Sequence, residues 1–491
     1  MGDRRDHLAA AVTSLSRLGK IVAVSPLYET DPVGGPAQGP YLNAVVVMDT
    51  ALSPGALLEE CLAIERSRGR ERRERWGPRT LDLDLLICGD ELVDRPGLTV
   101  PHPGLGSRRF VLQPLVDAWP EARLPDGTRP IDLLPGVMDQ RVTRLPGERW
   151  WISAPDPSVL EEPPPEVSPG EAAAIALGLY GIEGEAFPLE GERDRNFLVD
   201  SDRGRFSLKV ANPAQDPALL DMQQAALEHL ALADPDLPVP RAVLTSAGGR
   251  VGFTERADAV VPVRMQTFLE GARMPDGYST PASRRSLAGL LARLDGALAA
   301  FSHPSGTHDY LWDLTLLSAL RDRVGHLPED RGAVVLEQID RFEHRVVPAL
   351  VPMRRQMIHS DANPANLLVD PGDPDRVTGI VDFGDLVVGP LVADVAIAAA
   401  YQCLAQADPA AVAGDLVAAY HHHLPLTPDE IAVVPGLVAG RLVQSLVISS
   451  WRAELHPGNR DYILVHAEPG WAALQRLALL GDDWLSAEGL G

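Results

Sequence analysis

From Leu81 the chain alternates leucine and aspartate, Leu81-Asp82-Leu83-Asp84-Leu85, before running on as Leu86-Ile87. At the two-residue repeat of a strand, this puts both carboxylates on one face and three leucines on the other. The segments ahead of it change period. Leu8, Val12, Leu15 and Leu18 recur at helical spacing, with Gly19 as a stop. Residues 20–27 and 41–50 predict strands on either side of a turn-rich loop over residues 28–36. Ser53 and Pro54 open a second helix carrying Leu57, Leu58, Cys61, Leu62 and Ile64, with Glu65 and Arg70 at its end and a charged loop behind it.

Residues 146–170 break both periods. Pro155, Pro157, Pro163-Pro164-Pro165 and Pro169 predict an extended, semi-rigid linker between a domain of residues 1–145 and one of residues 171–491. In the second domain, residues 191–199 and 205–210 read as two strands joined by an Asp202-Arg203-Gly204 turn. A helix bearing Leu219, Met222, Ala226, Leu227 and Leu230 follows, and the rest is helical by periodicity. The apolar run 392–400 is too short to span a bilayer and predicts a buried helix. The fold class expected is α+β in two domains.

Charge and composition narrow the partners. With 491 residues, a net charge of −24 and a pI near 4.9, the surface repels phosphate backbones, which argues against nucleic acid or an anionic membrane. Cys61, Cys88 and Cys403 are too scattered for a metal quartet and cannot all pair, which, with no signal peptide in view, predicts a reducing cytoplasm. Nearly every basic residue is arginine. The lysines are Lys20 and Lys209 alone, and a compact ammonium differs most from a guanidinium where it meets a phosphate.

Asp82 and Asp84 are hard oxygen ligands projecting in parallel, which suits Mg²⁺ completed by water and phosphate oxygens. Taken alone, Asp-Leu-Asp is more simply the solvated face of an edge strand. The flanking residues shift that balance, because Gly77-Pro78 breaks the chain and holds Trp76 and Arg79 beside the metal, as in a nucleotide site. The whole run from Glu74 to Ile87 resembles the signature of hydroxymethyldihydropterin pyrophosphokinase. The resemblance covers residues 1–145 and implies a ferredoxin-like sandwich that moves pyrophosphate from ATP to 6-hydroxymethyl-7,8-dihydropterin. It implies Mg²⁺ on Asp82 and Asp84, and nucleotide contacts from Glu65 and Trp76. Triphosphate contacts fall to Arg70, Arg79, His102 and Arg108. The pterin's amide edge would lie on Thr30, Val33, Tyr41 and Asn43, with Phe110 stacked on its ring. The chain departs from the family in three places. No strand ending in Gly-Ser-Asn precedes the first helix, which leads us to expect a coding start further upstream. The lid is one residue short, and Gly97 stands where an arginine is usual, with Arg95 two positions earlier.

In the second domain His359-Ser360-Asp361, Asn366 five residues on, and Asp382-Phe383-Gly384 have the spacing of a kinase catalytic loop. Asp361 would orient or accept the substrate hydroxyl proton, Asn366 and Asp382 would hold Mg²⁺ against the phosphates, and His359 would brace the loop. Lys209 on a strand, with Glu228 on the next helix facing it, would present an ammonium to ATP. The segment resembles the superfamily of aminoglycoside phosphotransferases, choline kinases and hydroxylysine kinases over residues 170–491. The run from Glu192 to Phe197 and the tail from Trp451 to Trp471 bring it nearest the hydroxylysine kinase-like branch. That resemblance implies a protein-kinase-like bilobal fold acting on a small-molecule alcohol, such as an amino acid or amino alcohol. Arg441, Trp451 and Glu454 fall on late helices, where no single residue is singled out as a site. Two alternatives stay open: an N-terminal part that binds pterin or nucleotide without catalysis and regulates the kinase, and a fusion serving aminoglycoside modification.

Overall fold

The computed structural model describes residues 4–15, 18–30, 40–67, 80–145, 161–162, 164–191, 193–256, 259–308, 310–481 and 484–486. The chain divides into two compact units, Met1–Ser153 and Ala154–Gly491.

In the first unit the helix Arg4–Leu15 forms as its spacing predicts and buries Ala11 and Leu15 against Leu57, Cys61 and Ile64 of the helix Pro54–Ser67. The strand Lys20–Val24 pairs antiparallel with Val46–Asp49, while Tyr28–Thr30 lies between Tyr41–Asn43 and Val142–Arg144. Residues 41–50, expected as one strand, are therefore two short strands with different partners. The hairpin Val93–Arg95/Leu98–Val100 turns through Pro96-Gly97, with Gly97 at φ +88. That left-handed position favours glycine over residues with a side chain.

Residues 81–88 depart from expectation, since they join no sheet. Their backbone groups are taken locally: Leu83 N–H donates to Glu65 Oε1 (2.8 Å), and the Leu86 carbonyl accepts from His102 N–H (2.9 Å). Alternation nonetheless survives in burial. Leu81 is buried, Leu83 and Leu85 pack partly against the same cluster, and Asp82 and Asp84 are exposed.

The second unit is bilobal. Its first lobe is an antiparallel sheet in the order Ala242–Val243, Ala259–Thr267, Gly204–Val210, Arg195–Ser201, Gly184–Leu189, with Gly252–Arg256 added on Ala259–Thr267. Phe197, Val199, Leu208, Val210 and Val263 form its core under the helix Pro169–Tyr180, which Ser168 and Glu171 cap reciprocally. The second lobe is helical. Every residue of Leu391–Gln402 is buried, as its apolar run predicts, against the helices Pro281–Leu298, Pro409–His423 and Pro428–Leu455. The last is, among the described residues, the one helix long and apolar enough to cross a membrane, and 78% of its apolar window is packed inside the unit. Two small sheets, Arg355–Ile358 with Val387–Pro390, and Leu367–Asp370 with Asp373–Ile380 and Ala272–Arg273, carry the loops of interest out to the cleft.

Candidate active sites

The candidate catalytic loop leaves the strand Arg355–Ile358. His359 and Ser360 are buried, and their backbone N–H groups donate to the two carboxylate oxygens of Asp394 at 3.1 and 2.6 Å. This clamp holds Ser360 at φ 64, an uncommon conformation for a residue with a side chain. The His359 ring meets Phe383 edge-on, with centroids 4.9 Å apart; its Nδ1 accepts from Asp361 N–H (3.3 Å), which leaves Nε2 to donate to the Val381 carbonyl (3.2 Å). Both ring nitrogens are thereby committed to bracing the loop.

Asp361 is caged. Oδ1 accepts from Arg441 Nη2 (2.9 Å), and Oδ2 accepts from Asn363 Nδ2 (2.9 Å) and Asn366 Nδ2 (2.8 Å). Burial pushes its carboxyl up to about 6, the negative charge of Asp385 adds to this, and Arg441 opposes it. Arg441 is itself almost fully buried, with its guanidinium 4.8 Å from the Trp312 ring and 5.4 Å from that of Tyr401.

Asp382 takes φ 60, and its Oδ1 accepts from Gly384 N–H (3.1 Å) and from Lys209 Nζ (3.3 Å). Burial alone would raise its carboxyl. The cations of Lys209, Arg193 and Arg264 outweigh that and hold it well below the usual carboxylate range. Asn366 donates through Nδ2 to the Asp361 carbonyl (2.9 Å) as well as to Oδ2, which fixes the amide and leaves its oxygen to other partners. A carboxylate and an amide oxygen of this kind fit a hard divalent cation whose other ligands are phosphate and water. These residues line one cleft of about 510 Å³ with Lys209, Trp312 and Arg441.

The expected Lys209–Glu228 pair is corrected. Glu228 accepts from Arg250 Nε at 2.7 Å, and Lys209 turns to Asp382. Toward the site the helix Pro217–Ala233 offers buried amides instead: Gln223 donates to the Gly384 carbonyl (3.2 Å) and Gln224 to that of Met265 (2.9 Å). Asp394, Asn363 and Arg441 carry roles that spacing alone did not assign. For Asp394 and Arg441 the signal was a polar side chain inside a mostly apolar helix, Leu391–Gln402 and Pro428–Leu455; Asn363, in a polar loop, carried none.

In the first unit the structure brings together part of the predicted set. Asn43 Nδ2 donates to Thr30 Oγ1 (2.7 Å), and Tyr41 stands opposite Thr30 in the ladder. His102 follows the cis peptide Val100-Pro101, and its Nδ1 accepts from Gly104 N–H (3.0 Å). The Arg108 guanidinium lies 5.7 Å from the Phe110 ring centroid. Glu65 is buried, with one oxygen on the backbone between the two exposed aspartates. Val33, Arg70, Trp76 and Arg79 lie outside the described residues. Among the described residues, no three His, Cys, Asp or Glu cluster to hold a metal. Asp82 and Asp84 are two exposed hard oxygen donors of the kind that fits Mg²⁺.

Comparison with known proteins divides the chain in the same way. A family model described as 7,8-dihydro-6-hydroxymethylpterin-pyrophosphokinase matches residues 1–120, and one described as the phosphotransferase enzyme family matches residues 185–433. Over 149 residues the chain is 46% identical to a 2-amino-4-hydroxy-6-hydroxymethyldihydropteridine pyrophosphokinase of Pseudomonas aeruginosa, covering 30% of this chain and 92% of that protein. Over 344 residues it is 29% identical to the hydroxylysine kinase of Mus musculus, covering 65% of this chain and 91% of that protein. A solved microcompartment-associated aminopropanol kinase aligns over 63% of this chain and 98% of its own at 20% identity and a TM-score of 0.47.

Proposed function

The chain belongs to the pterin pyrophosphokinase family at its N-terminal end and to the phosphotransferase enzyme family beyond it, and from that premise we propose that both parts are catalytically active. The protein is a fused pyrophosphokinase and small-molecule kinase. Our reading of its chemistry is that the first unit moves pyrophosphate from ATP to 6-hydroxymethyl-7,8-dihydropterin, and that the second moves the γ-phosphoryl group to a hydroxyl of an amino acid or amino alcohol such as hydroxylysine.

One observation carries the kinase reading: Asp361 and Asp382, the proposed base and metal carboxylate, line the same cleft, and each is held by a buried cation. Asp382 and Asn366 would hold Mg²⁺, which neutralises phosphate charge when bound. Lys209 would sit against the phosphates, and Asp361 would take the acceptor's hydroxyl proton as its oxygen attacks phosphorus. In the first unit, Asp82 and Asp84 would hold the metal and Asn43 with Thr30 would meet the pterin's amide edge. Positioning and charge neutralisation supply most of the rate.

The two reactions leave different nucleotides. Full-length protein with Mg²⁺ and ATP should release AMP when given the dihydropterin, and ADP when given the correct acceptor from a panel of amino acids, amino alcohols, sugars and aminoglycosides. Pterin binding without AMP would leave the first unit a binding module. No ADP with any member of the panel would sink the acceptor assignment.

A further inference from the structure

Carboxylates and cations in the kinase cleft pair one to one. Lys209 holds Asp382 at 3.3 Å, Arg441 holds Asp361 at 2.9 Å, and Arg193 Nη2 holds Asp385 Oδ1 at 2.7 Å. The first two pairs have roles in the reading above, and the third has none. Arg193 lies just ahead of the strand Arg195–Ser201, which pairs with Gly184–Leu189, so it reaches the Asp382-Phe383-Gly384 turn from the opposite lobe. A Cβ at Gly384 would press on Asp382 Oδ1 at 3.0 Å and lie in ordinary contact with Arg193 Nη2 at 3.5 Å, which places the guanidinium beside the metal carboxylate. Arg264, the other nearby cation, is taken up by buried Asp194 at 2.9 Å.

We infer that Arg193 binds the transferring phosphoryl group of ATP, a catalytic role that rests on the kinase reading of this cleft. Asp385 orients the guanidinium along this wall of the cleft. A bound nucleotide adds negative charge next to Asp382, and Arg193 is the one guanidinium on that wall whose partner, Asp385, lies on the same turn as the metal carboxylate. A planar fork suits two non-bridging phosphoryl oxygens better than a point charge does. In the transfer, the bond from γ-phosphorus to the oxygen of ADP breaks as the acceptor oxygen bonds to phosphorus, and the acceptor proton passes to Asp361. Arg193 gains and loses nothing covalently. It stabilises charge on the group in flight, as arginines do in other phosphoryl transfers.

The distinguishing quantity is the preference for a triphosphate over a diphosphate. Binding of AMP-PNP and of ADP, each with Mg²⁺, should be measured by calorimetry on the full chain, for wild type, Arg193→Gln, Arg193→Lys and Asp385→Asn. We expect Arg193→Gln to weaken AMP-PNP about tenfold more than ADP and to lower turnover at least as much, on the scale that equates tenfold with 1.4 kcal/mol. Arg193→Lys should lose part of that preference, and Asp385→Asn should keep it. Equal weakening of both nucleotides by Arg193→Gln would overturn the proposal and leave Arg193 a strut between lobes. If that variant does not fold, an Arg193→Lys protein with an unchanged preference overturns it instead. Wild type that binds neither nucleotide would defeat the kinase reading itself, a separate result.

Discussion

The two candidate metal sites handle their carboxylates in opposite ways. In the kinase cleft Asp361 and Asp385 are largely enclosed and Asp382 is half-exposed, and each is matched to a cation of the protein. In the first unit Asp82 and Asp84 are exposed, on a segment steadied by Glu65 through the backbone. A buried carboxylate without a partner is costly, so a preformed cleft has to carry its counter-charges within it. Exposed carboxylates such as Asp82 and Asp84 keep contact with water. The two sites thus differ in how far the protein encloses their carboxylates.

The sharpest way to break the comparison is to remove the charge of one site and read the other. Asp361→Asn keeps the size and most of the hydrogen bonds of the side chain but removes the proton acceptor. Acceptor phosphorylation should fall by about 10²–10⁴, the usual worth of a general base, while AMP release with the dihydropterin stays unchanged. Kinase activity within tenfold of wild type would show that Asp361 only orients the acceptor. The reciprocal variant, Asp82→Ala or Asp84→Ala, should cost pyrophosphoryl transfer well over about tenfold and leave ADP release intact. Since both aspartates are exposed, the melting temperature should hardly move, and a large drop in it would point to a structural role.

How much of this was legible in the sequence depended on range. The spacing of His359, Asp361, Asn366 and Asp382 is local, so it could be read directly. The contacts that give those residues their environment are not: Arg441 meets Asp361 across 80 residues, Lys209 meets Asp382 across 173 and Arg193 meets Asp385 across 192. Glu228 shows the limit on a single helix. It lies one turn beyond Gln224, so helical periodicity puts both on nearly the same face, and only packing decides that the glutamine turns inward while the glutamate meets Arg250. The segment carrying Asp82 and Asp84 was legible in its alternation but not in its pairing, because alternation reports which side is buried and not whether a neighbouring strand supplies hydrogen bonds.

A finer test concerns the ammonium in the kinase cleft. Lys209→Arg keeps the charge, but the larger planar group cannot take the 3.3 Å contact to Asp382 between Asn196 and Arg264, its register neighbours, without displacing them. Turnover should fall about tenfold, nearly as far as for Lys209→Ala, with nucleotide still bound. An arginine variant within threefold of wild type would show that charge alone suffices there.

The smallest effect should come from Glu228, and its smallness is informative. Were this glutamate the partner that presents Lys209 to ATP, Glu228→Ala would cost turnover as heavily as loss of the lysine. In the structure its carboxylate accepts from Arg250 Nε, and Arg250 has a second acid nearby in Asp221 at 3.6 Å. Both Glu228 and Arg250 are about a third exposed or more, so the pair is worth no more than about 1 kcal/mol of stability and is weakened by salt. With Asp221 left to receive the guanidinium, turnover of Glu228→Ala should stay within threefold of wild type, less than half the logarithmic range of a tenfold step of 1.4 kcal/mol. The comparison to run alongside is Gln224→Ala, which removes a buried donor to the Met265 carbonyl on the strand paired with that of Lys209. Losing that buried hydrogen bond costs about 0.5–1.5 kcal/mol and should lower the melting temperature where Glu228→Ala does not. If the order is reversed, with Glu228→Ala the more damaging to turnover, then Lys209 exchanges Asp382 for Glu228 when nucleotide binds, and the pairing of the cleft rearranges during the reaction.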